Sequence, residues 1–563
     1  MSQPKPIPYQ FGSLINDIEK GSIKIPQFQR DFVWPLEKCA DLLDSIVKEY
    51  PIGSFIFWKT KERLRSVRNI GGDTLPDTED GDYVNYILDG QQRVTSIYAS
   101  IKGLKNVRKN DGKLEDFSKI YVNLSASKDD KIITTEKGKI VGGVSITFQD
   151  LLNSDIAEIV KKVPKEYYSK FTSYKNSINT YMYNIIQIED IPIDIATEIF
   201  TRVNLGGEKL TIFEIMVAKT FDPKKNFDLA EKYKDLMKEL TNIGYETISP
   251  SSILQAMSLI ISKSKECKRS TILKLDKNSF IDAWDKVIDA LKSAVDYLRT
   301  FYGIPVSKLL PYNSILVPFT YFFYKNGDKP IGLQKELLRD FFWRVSLSGR
   351  YSSSVETKLS QDIKRIDKIL EDKDPSYDWA IDVSPEFIFR NGWFSAGRSY
   401  VKAILCLYAA QVPRSFDDGS KVNIENNWLN RANSRNYHHF FPKAYLKGRG
   451  YSDEKINNVV NITIVDSFLN KNRIRDNPPS EYMRKYKSEN KNLNETMKSH
   501  LIGDLTEFGI WNDDYDEFLD KRSELISNML KSLIIQRDID KIQQPDLEYD
   551  ETKYEDEDSD SQL

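Results

Sequence analysis

Two of the chain's three histidines are adjacent, in Tyr437-His438-His439-Phe440-Phe441-Pro442-Lys443, and this pair limits the local fold more than any other stretch. Consecutive side chains of a β-strand point to opposite faces, so neighbouring histidines serve one site only where a strand ends. Pro442 supplies an ending, because it lacks a ladder donor and fixes φ. Residues 459–465 have strand composition interrupted by Asn461 and Thr463, and residues 467–475 read as the start of a helix that carries Asn470 inward. The pattern predicts two strands and a helix around one spot.

The chemistry of that spot follows from residue types. Imidazole is the side chain whose ordinary pKa suits a general base near neutral pH. Nine Lys and Arg against three Asp and Glu lie in residues 431–475, a balance that suits a polyanion. Together with Asn461 and Asn470, nine apart, the stretch resembles the HNH nucleases of the ββα-metal kind, in which an Asp-His or His-His pair before Pro is followed by Asn and, nine residues later, by His or Asn. The resemblance implies metal ligands at His438 and Asn470, a general base at His439, and orientation of that base by the side-chain carbonyl of Asn461. It also implies a divalent ion, Mg²⁺ or Mn²⁺, and DNA contacts from Lys443, Lys471 and Arg473. Asn470 stands where many such enzymes carry His, which weakens the expected hold on the metal.

A second constellation lies near the N-terminus. Residues 83–88 read as a strand that runs into Asp89-Gly90-Gln91-Gln92-Arg93, with a helix continuing from Val94. A strand, a Gly turn and a helix start aim backbone N–H groups at one point, and Arg93 either offers a bidentate fork to a phosphate or pairs with Asp89. With Ile25-Pro26-Gln27-Phe28-Gln29-Arg30 upstream and Phe200-Thr201-Arg202-Val203-Asn204-Leu205-Gly206-Gly207 downstream, the segment resembles the GmrS-like, ParB-related domain of GmrSD-type modification-dependent restriction systems. That resemblance implies a nucleoside triphosphate bound at Asp89, Gly90, Gln91, Gln92 and Arg93, with Arg30, Arg202 and Asn204 facing it.

The expected architecture is multidomain α+β: a ParB-like α+β domain at 8–220, an α-helical bundle at 221–375, a C-terminal ββα-metal HNH domain embedded in helices at 376–540, and an acidic disordered tail at 541–563. Residues 227–371 carry nearly continuous helical periodicity, and Arg344, Arg350 and Arg365 within it read either as a DNA-facing surface or as a solvated helix face. From Asp546 onward there are nine acids and one Lys, so residues 1–545 carry 80 bases against 74 acids. This mild excess is compatible with a nucleic-acid partner without requiring one. Cys39, Cys267 and Cys406 are far apart in apolar patterns, which predicts buried thiols in a reducing compartment. No segment has the apolar length of a membrane span or a signal peptide, so a cytoplasmic protein is expected.

The function these readings favour is a nucleotide-regulated endonuclease acting on double-stranded, modified phage DNA, with a homo-oligomer left open. Two alternatives remain: a nucleotide-dependent DNA-binding switch with a degenerate HNH domain, and an RNA-directed nuclease toxin.

Overall fold

The computed structural model describes residues 3–26, 28–29, 32–64, 70–72, 75–79, 81–105, 107–108, 114–127, 130–137, 143–203, 210–222, 224–426, 437–465, 477–542 and 544–547. The chain forms two compact units, residues 1–230 and 231–563.

The first unit is built on strands β1 (Lys5–Gln10), β2 (Ile23–Lys24), β3 (Ser54–Thr60), β4 (Val84–Asp89) and, late in the chain, Met182–Glu189. Their order is β1, Met182–Glu189, β3, β4, β2. Met182–Glu189 runs antiparallel to β1 and parallel to β3, and β4 runs antiparallel to β3 and parallel to β2. Pro6 and Pro8 lie in β1, at the sheet's edge, where a missing donor is tolerated and further strand pairing is discouraged. Helices α1 (Phe11–Glu19), α2 (Leu36–Val47) and α3 (Gln91–Lys102) contribute Leu14, Ile18, Leu43, Ile46, Val94 and Ile97 to one core with Phe55, Phe57 and Ile87 of the sheet. Two charged stretches of this unit carry short antiparallel pairings. Val107–Arg108 pairs with Leu114–Glu115, and Ile133–Thr134 joins Tyr121–Asn123 and Ser145–Thr147 in a second small sheet. Asp44 of α2 accepts the Ile132 and Ile133 N–H groups, a long-range bond that no local pattern announces.

Among its described residues the second unit is helical, with a short strand pair of Tyr437–His439 and Ile462–Ile464. Helices Leu229–Thr241, Pro250–Ile261, Lys277–Phe301, Leu316–Asn326, Gly332–Leu347 and Val355–Leu370 follow the predicted periodicity closely. Arg344, Arg350 and Arg365 do not line a surface. Arg344 is fully buried and bonds Asp340 and Asp540. Arg350 holds Asp362 at 2.8 Å, and Arg365 bridges Asp362 and Asp378. Their guanidinium groups stack on Tyr377 and Trp379, so aromatic faces supply what water would otherwise give.

The C-terminal segment closes over the same network. Arg537 reaches Asp340 and Asp374, and Gln544 accepts from Asp382 N–H and donates to Leu347 O. Asp546 bonds Arg390 and Asn391. Of the residues expected to open a disordered tail, Lys541 ends a 3₁₀ turn and Gln544 and Asp546 are bonded into the fold. The rest of the tail, 548–563, lies outside the described residues.

Asp340 serves Arg344, Arg537 and the Ile535 N–H from a site with no exposure. Removing one partner of a buried pair strands the other charge, so Asp340→Ala is expected to destabilise the second unit by about 3–5 kcal/mol in denaturant unfolding. Removing the exposed Arg202 from its pair with Glu198 should change stability by at most about 1 kcal/mol. Equal, small effects would mean the buried network contributes little.

Candidate nuclease site and the Asp89 turn

The two histidines sit on the strand Tyr437–His439, which pairs antiparallel with Ile462–Ile464, placing His438 opposite Thr463 and His439 opposite Ile462. The strand ends at His439, as Pro442 predicts, yet the two rings have separate surroundings. His438 is buried against Phe416, Phe440 and Tyr482, whereas His439 is partly buried beside Phe394 and Asn457.

Hydrogen bonds constrain both rings. Thr463 Oγ1 lies 3.3 Å from the His438 carbonyl and 3.2 Å from His438 Nδ1, and with its proton on the carbonyl it accepts from Nδ1–H. His438 Nε2 is buried without a hydrogen-bond partner. Asn457 Nδ2 donates to Phe394 O, which turns Oδ1 toward His439. His439 Nε2–H then donates to Oδ1 at 3.1 Å, and Nδ1 keeps the lone pair that a base needs.

Asn461 does something other than expected. Its carbonyl accepts from Phe441 N–H at 2.9 Å, and its amide donates to Phe441 O and Ile456 O. It therefore braces the chain just past the histidines, and the side chain that orients His439 is Asn457. The local sequence had a signal for this, an Asn four residues before Asn461, but spacing alone could not rank the two. Residues Val459–Asn461 form a 3₁₀ turn and only Ile462–Ile464 is strand. The carbonyls of Val459 and Val460 are taken by Tyr408 and Arg522, which removes them from any ladder.

Lys443 is exposed at the start of the helix Lys443–Gly448, and its charge reaches His439, where it adds to burial in pushing the imidazole pKa down to about 4. Asn470, Lys471 and Arg473 lie outside the described residues. His438 Nε2 has the chemistry of a metal donor, but among the described residues no three His, Cys, Asp or Glu side chains come together to hold an ion. The described residues thus supply one donor and do not complete a metal site.

In the first unit the three motif stretches do meet. Gln29 donates to Ile87 O and Leu88 O at the end of β4, Gln92 accepts from Val33 N–H, and Phe28 packs on Phe200 at 5.4 Å. Gly90 takes a left-handed φ of 95° at the start of α3, where a Cβ would stand 2.4 Å from the Phe55 ring. Arg93 is engaged with protein: it donates to Ile52 O, Ser54 O and Asp89, and lies over Phe55. It braces the turn and pairs with Asp89. Arg202 is exposed and paired with Glu198, and no described contact brings it to the Asp89 turn. Arg30 and Asn204 lie outside the described residues.

This convergence coincides with the similarity found to known proteins. Residues 11–221 match the family model of the GmrSD restriction endonuclease, N-terminal domain. The match supports a GmrSD-type family, whose members are restriction endonucleases. The chain is also similar to an uncharacterized protein of Methanocaldococcus jannaschii, 26% identical over 600 residues that span 92% of this chain and 98% of that protein. A GmrSD-like nuclease acts on DNA. Among the described residues no helix is long and apolar enough to cross a membrane.

His500, 61 residues beyond His439 in the sequence, belongs to the same cluster. It is buried, stacks edge-on against Phe416 at 4.9 Å and donates from Nε2 to Arg414 O at 2.7 Å. Burial pushes His500 down to about 4, and His438 to about 3. In the unfolded chain these groups titrate near 6.5, so between about pH 6.5 and 4 the unfolded state binds more protons. Stability is complete above that window and is lost as pH falls through it. His500→Gln can keep the bond to Arg414 O without titrating. It is expected to reduce the proton uptake on unfolding by about one near pH 5, read from the pH dependence of the unfolding free energy. An unchanged slope would show that His500 is not neutral and buried in solution.

Proposed function

We propose that this chain is an HNH-type, metal-dependent endonuclease that cleaves foreign, modified double-stranded DNA in phage restriction, under control of a nucleoside triphosphate bound near Asp89–Arg93. The observation that carries the reading is His439: an imidazole at a strand end, held by Asn457 with its Nδ1 lone pair free and a cation, Lys443, beside it. It stands in a chain whose first unit is GmrSD-like.

The roles follow from chemistry. His439 Nδ1 takes a proton from the attacking water. Asn457 keeps the ring in the tautomer that leaves Nδ1 bare, and Asn461 holds the backbone at Phe441 so that the ring's position is set by the strand pair. Lys443 meets the phosphate charge. A divalent ion, when bound, would stabilise charge on the phosphate and leaving oxygen, with His438 Nε2 as one donor and Asn470 as the proposed second.

The deciding measurement is a cleavage matrix of modified and unmodified phage DNA, with and without each nucleoside triphosphate and Mg²⁺ or Mn²⁺. His439→Ala should lower cleavage about 100-fold or more while DNA binding persists, and Asn457→Ala should act in the same direction but less. Undiminished cleavage by His439→Ala would remove it from the mechanism.

Control by nucleotide needs its own test. Arg93→Ala removes a brace from residues 52–54 as well as any ligand contact, so the cleaner change is Asp89→Asn, which leaves the Arg93 bonds to Ile52 O and Ser54 O in place. Asp89→Asn is expected to alter nucleotide affinity or hydrolysis and, through linkage, the nucleotide dependence of DNA cleavage. If the folded variant binds nucleotide and cuts DNA as the wild type does, the regulatory half of the proposal fails.

A further inference from the structure

The helix Pro479–Glu489 has two faces with different tasks. Its inner face carries Tyr482, Met483 and Tyr486, all buried; Tyr482 packs on the His438 ring and donates to Phe440 O, the residue after His439. Its outer face carries Arg484, Lys487 and Ser488, which with Trp511 line an open cleft of about 480 Å³. The two faces are about one helix diameter apart, roughly 10 Å, or about three base steps of a duplex strand at 3.4 Å each.

The lining has one chemical character. Arg484 and Lys487 are exposed, and among the described residues neither is paired with a carboxylate. The Lys487 ammonium stands 5.0 Å from the centroid of the Trp511 ring. Asp504 feels the charge of Lys487 only weakly, after its own bonds to Thr506 and Glu507 N–H. Ser488 spends its proton on Lys485 O, so its oxygen presents lone pairs to a donor. An indole face, two exposed cations and one acceptor form a set that matches a nucleotide unit: a base on the ring, its flanking phosphates on the cations, and an amino or imino N–H on the hydroxyl. A base stacking on Trp511 would displace Lys487 toward the phosphate, so the cation–π contact is exchanged for a charge pair.

We propose that the Arg484–Lys487–Ser488–Trp511 cleft binds an unpaired nucleotide of a nucleic-acid strand, on the face of the helix Pro479–Glu489 opposite the one that packs on His438. The proposal rests on the nuclease reading, and deepens it by adding a grip for a locally single-stranded segment. A duplex keeps its bases stacked and can give the cleft only phosphates, whereas a single strand gives both phosphate and ring.

The test uses the full chain in EDTA, so that binding is read without cleavage, with a labelled 20-mer single strand and the blunt duplex of the same sequence as probes in fluorescence anisotropy. Trp511→Ala is expected to weaken single-strand binding by roughly 5- to 150-fold, the range for losing one base–aromatic stack, with duplex affinity unchanged. Trp511→Phe, which keeps a ring, should retain most of the affinity and guards against a folding defect in the alanine variant. Replacing both Arg484 and Lys487 by Ala should reduce the salt slope of single-strand binding by about 1.4. Equal loss for both probes would overturn the proposal in favour of a duplex-backbone contact, and no loss for either would overturn it outright. Binding that follows the expected pattern in a wild type that cuts nothing with Mg²⁺ or Mn²⁺ would sustain the cleft and sink the nuclease reading. A wild type that binds neither probe would sink both.

Discussion

Three hydrogen bonds from one fully buried side chain hold the candidate site in shape. Asn461 pairs with both the N–H and the C=O of Phe441 and reaches Ile456 O as well, so an amide side chain acts as an extra rung beyond the last pair of a three-residue ladder. A strand pair this short has little cohesion of its own. With Asn461 in place, the backbone after His439 cannot drift from the segment that follows Asn457, and Asn457 can then hold the imidazole at 3.1 Å. Replacing a buried amide that satisfies three backbone groups strands each of them, at about 1–3 kcal/mol apiece. The position of the His439 ring is therefore a property of an amide twenty-two residues away from it.

The same unit treats buried cations in two ways. Arg344 sits among carboxylates, Asp340 and Asp540, and is stabilised by charge. Arg522 is equally buried, yet the partners it shows are Val460 O, His500 O and the faces of Tyr408 and Phe518. Burial pushes its guanidinium pKa down, and dipoles and ring quadrupoles offset part of that cost. The arrangement joins the helix Tyr515–Leu533 to the turn beside Asn461 and to the backbone of His500. Three stretches distant in sequence are thereby tied around one neutral histidine cluster, which a nearby carboxylate would instead draw toward protonation.

Long helical periodicity in residues 227–371 is readable in the sequence, because helices such as Lys277–Phe301 and Val355–Leu370 bury one regular stripe. The strand end at His439 was readable too, since Pro442 acts locally. What the sequence could not reveal was partnership across distance. Arg344, Arg350 and Arg365 have the composition of a basic surface, and only the fold brings Asp540, Asp362 and Asp378 to them. Val459 and Val460 have strand propensity, but Tyr408 and Arg522 capture their carbonyls and impose a turn. Asn457 and Asn461 look alike in sequence, and which of them meets the imidazole depends on where Phe394 O lies. His500 lies 61 residues beyond His439 in the sequence, a distance that folding erases.

Magnitudes also bound what the Asp89 turn can do as a switch. Arg93 holds two backbone carbonyls that the fold needs, so a phosphate can compete only for its bond to Asp89 at 3.0 Å. That pair is partly exposed, 17% on the Arg and 33% on the Asp side, and such pairs are worth up to about 1 kcal/mol. Exchanging it for a phosphate contact therefore frees or costs about that much, a factor of roughly five in an equilibrium constant. A nucleotide effect on cleavage much larger than this must draw on other differential contacts, such as α3's first N–H groups or Arg30, because a ligand shifts an equilibrium only by the difference in its affinity for the two states. Under the proposed nucleotide control, the size of the effect would report how much of the site beyond Arg93 changes on binding.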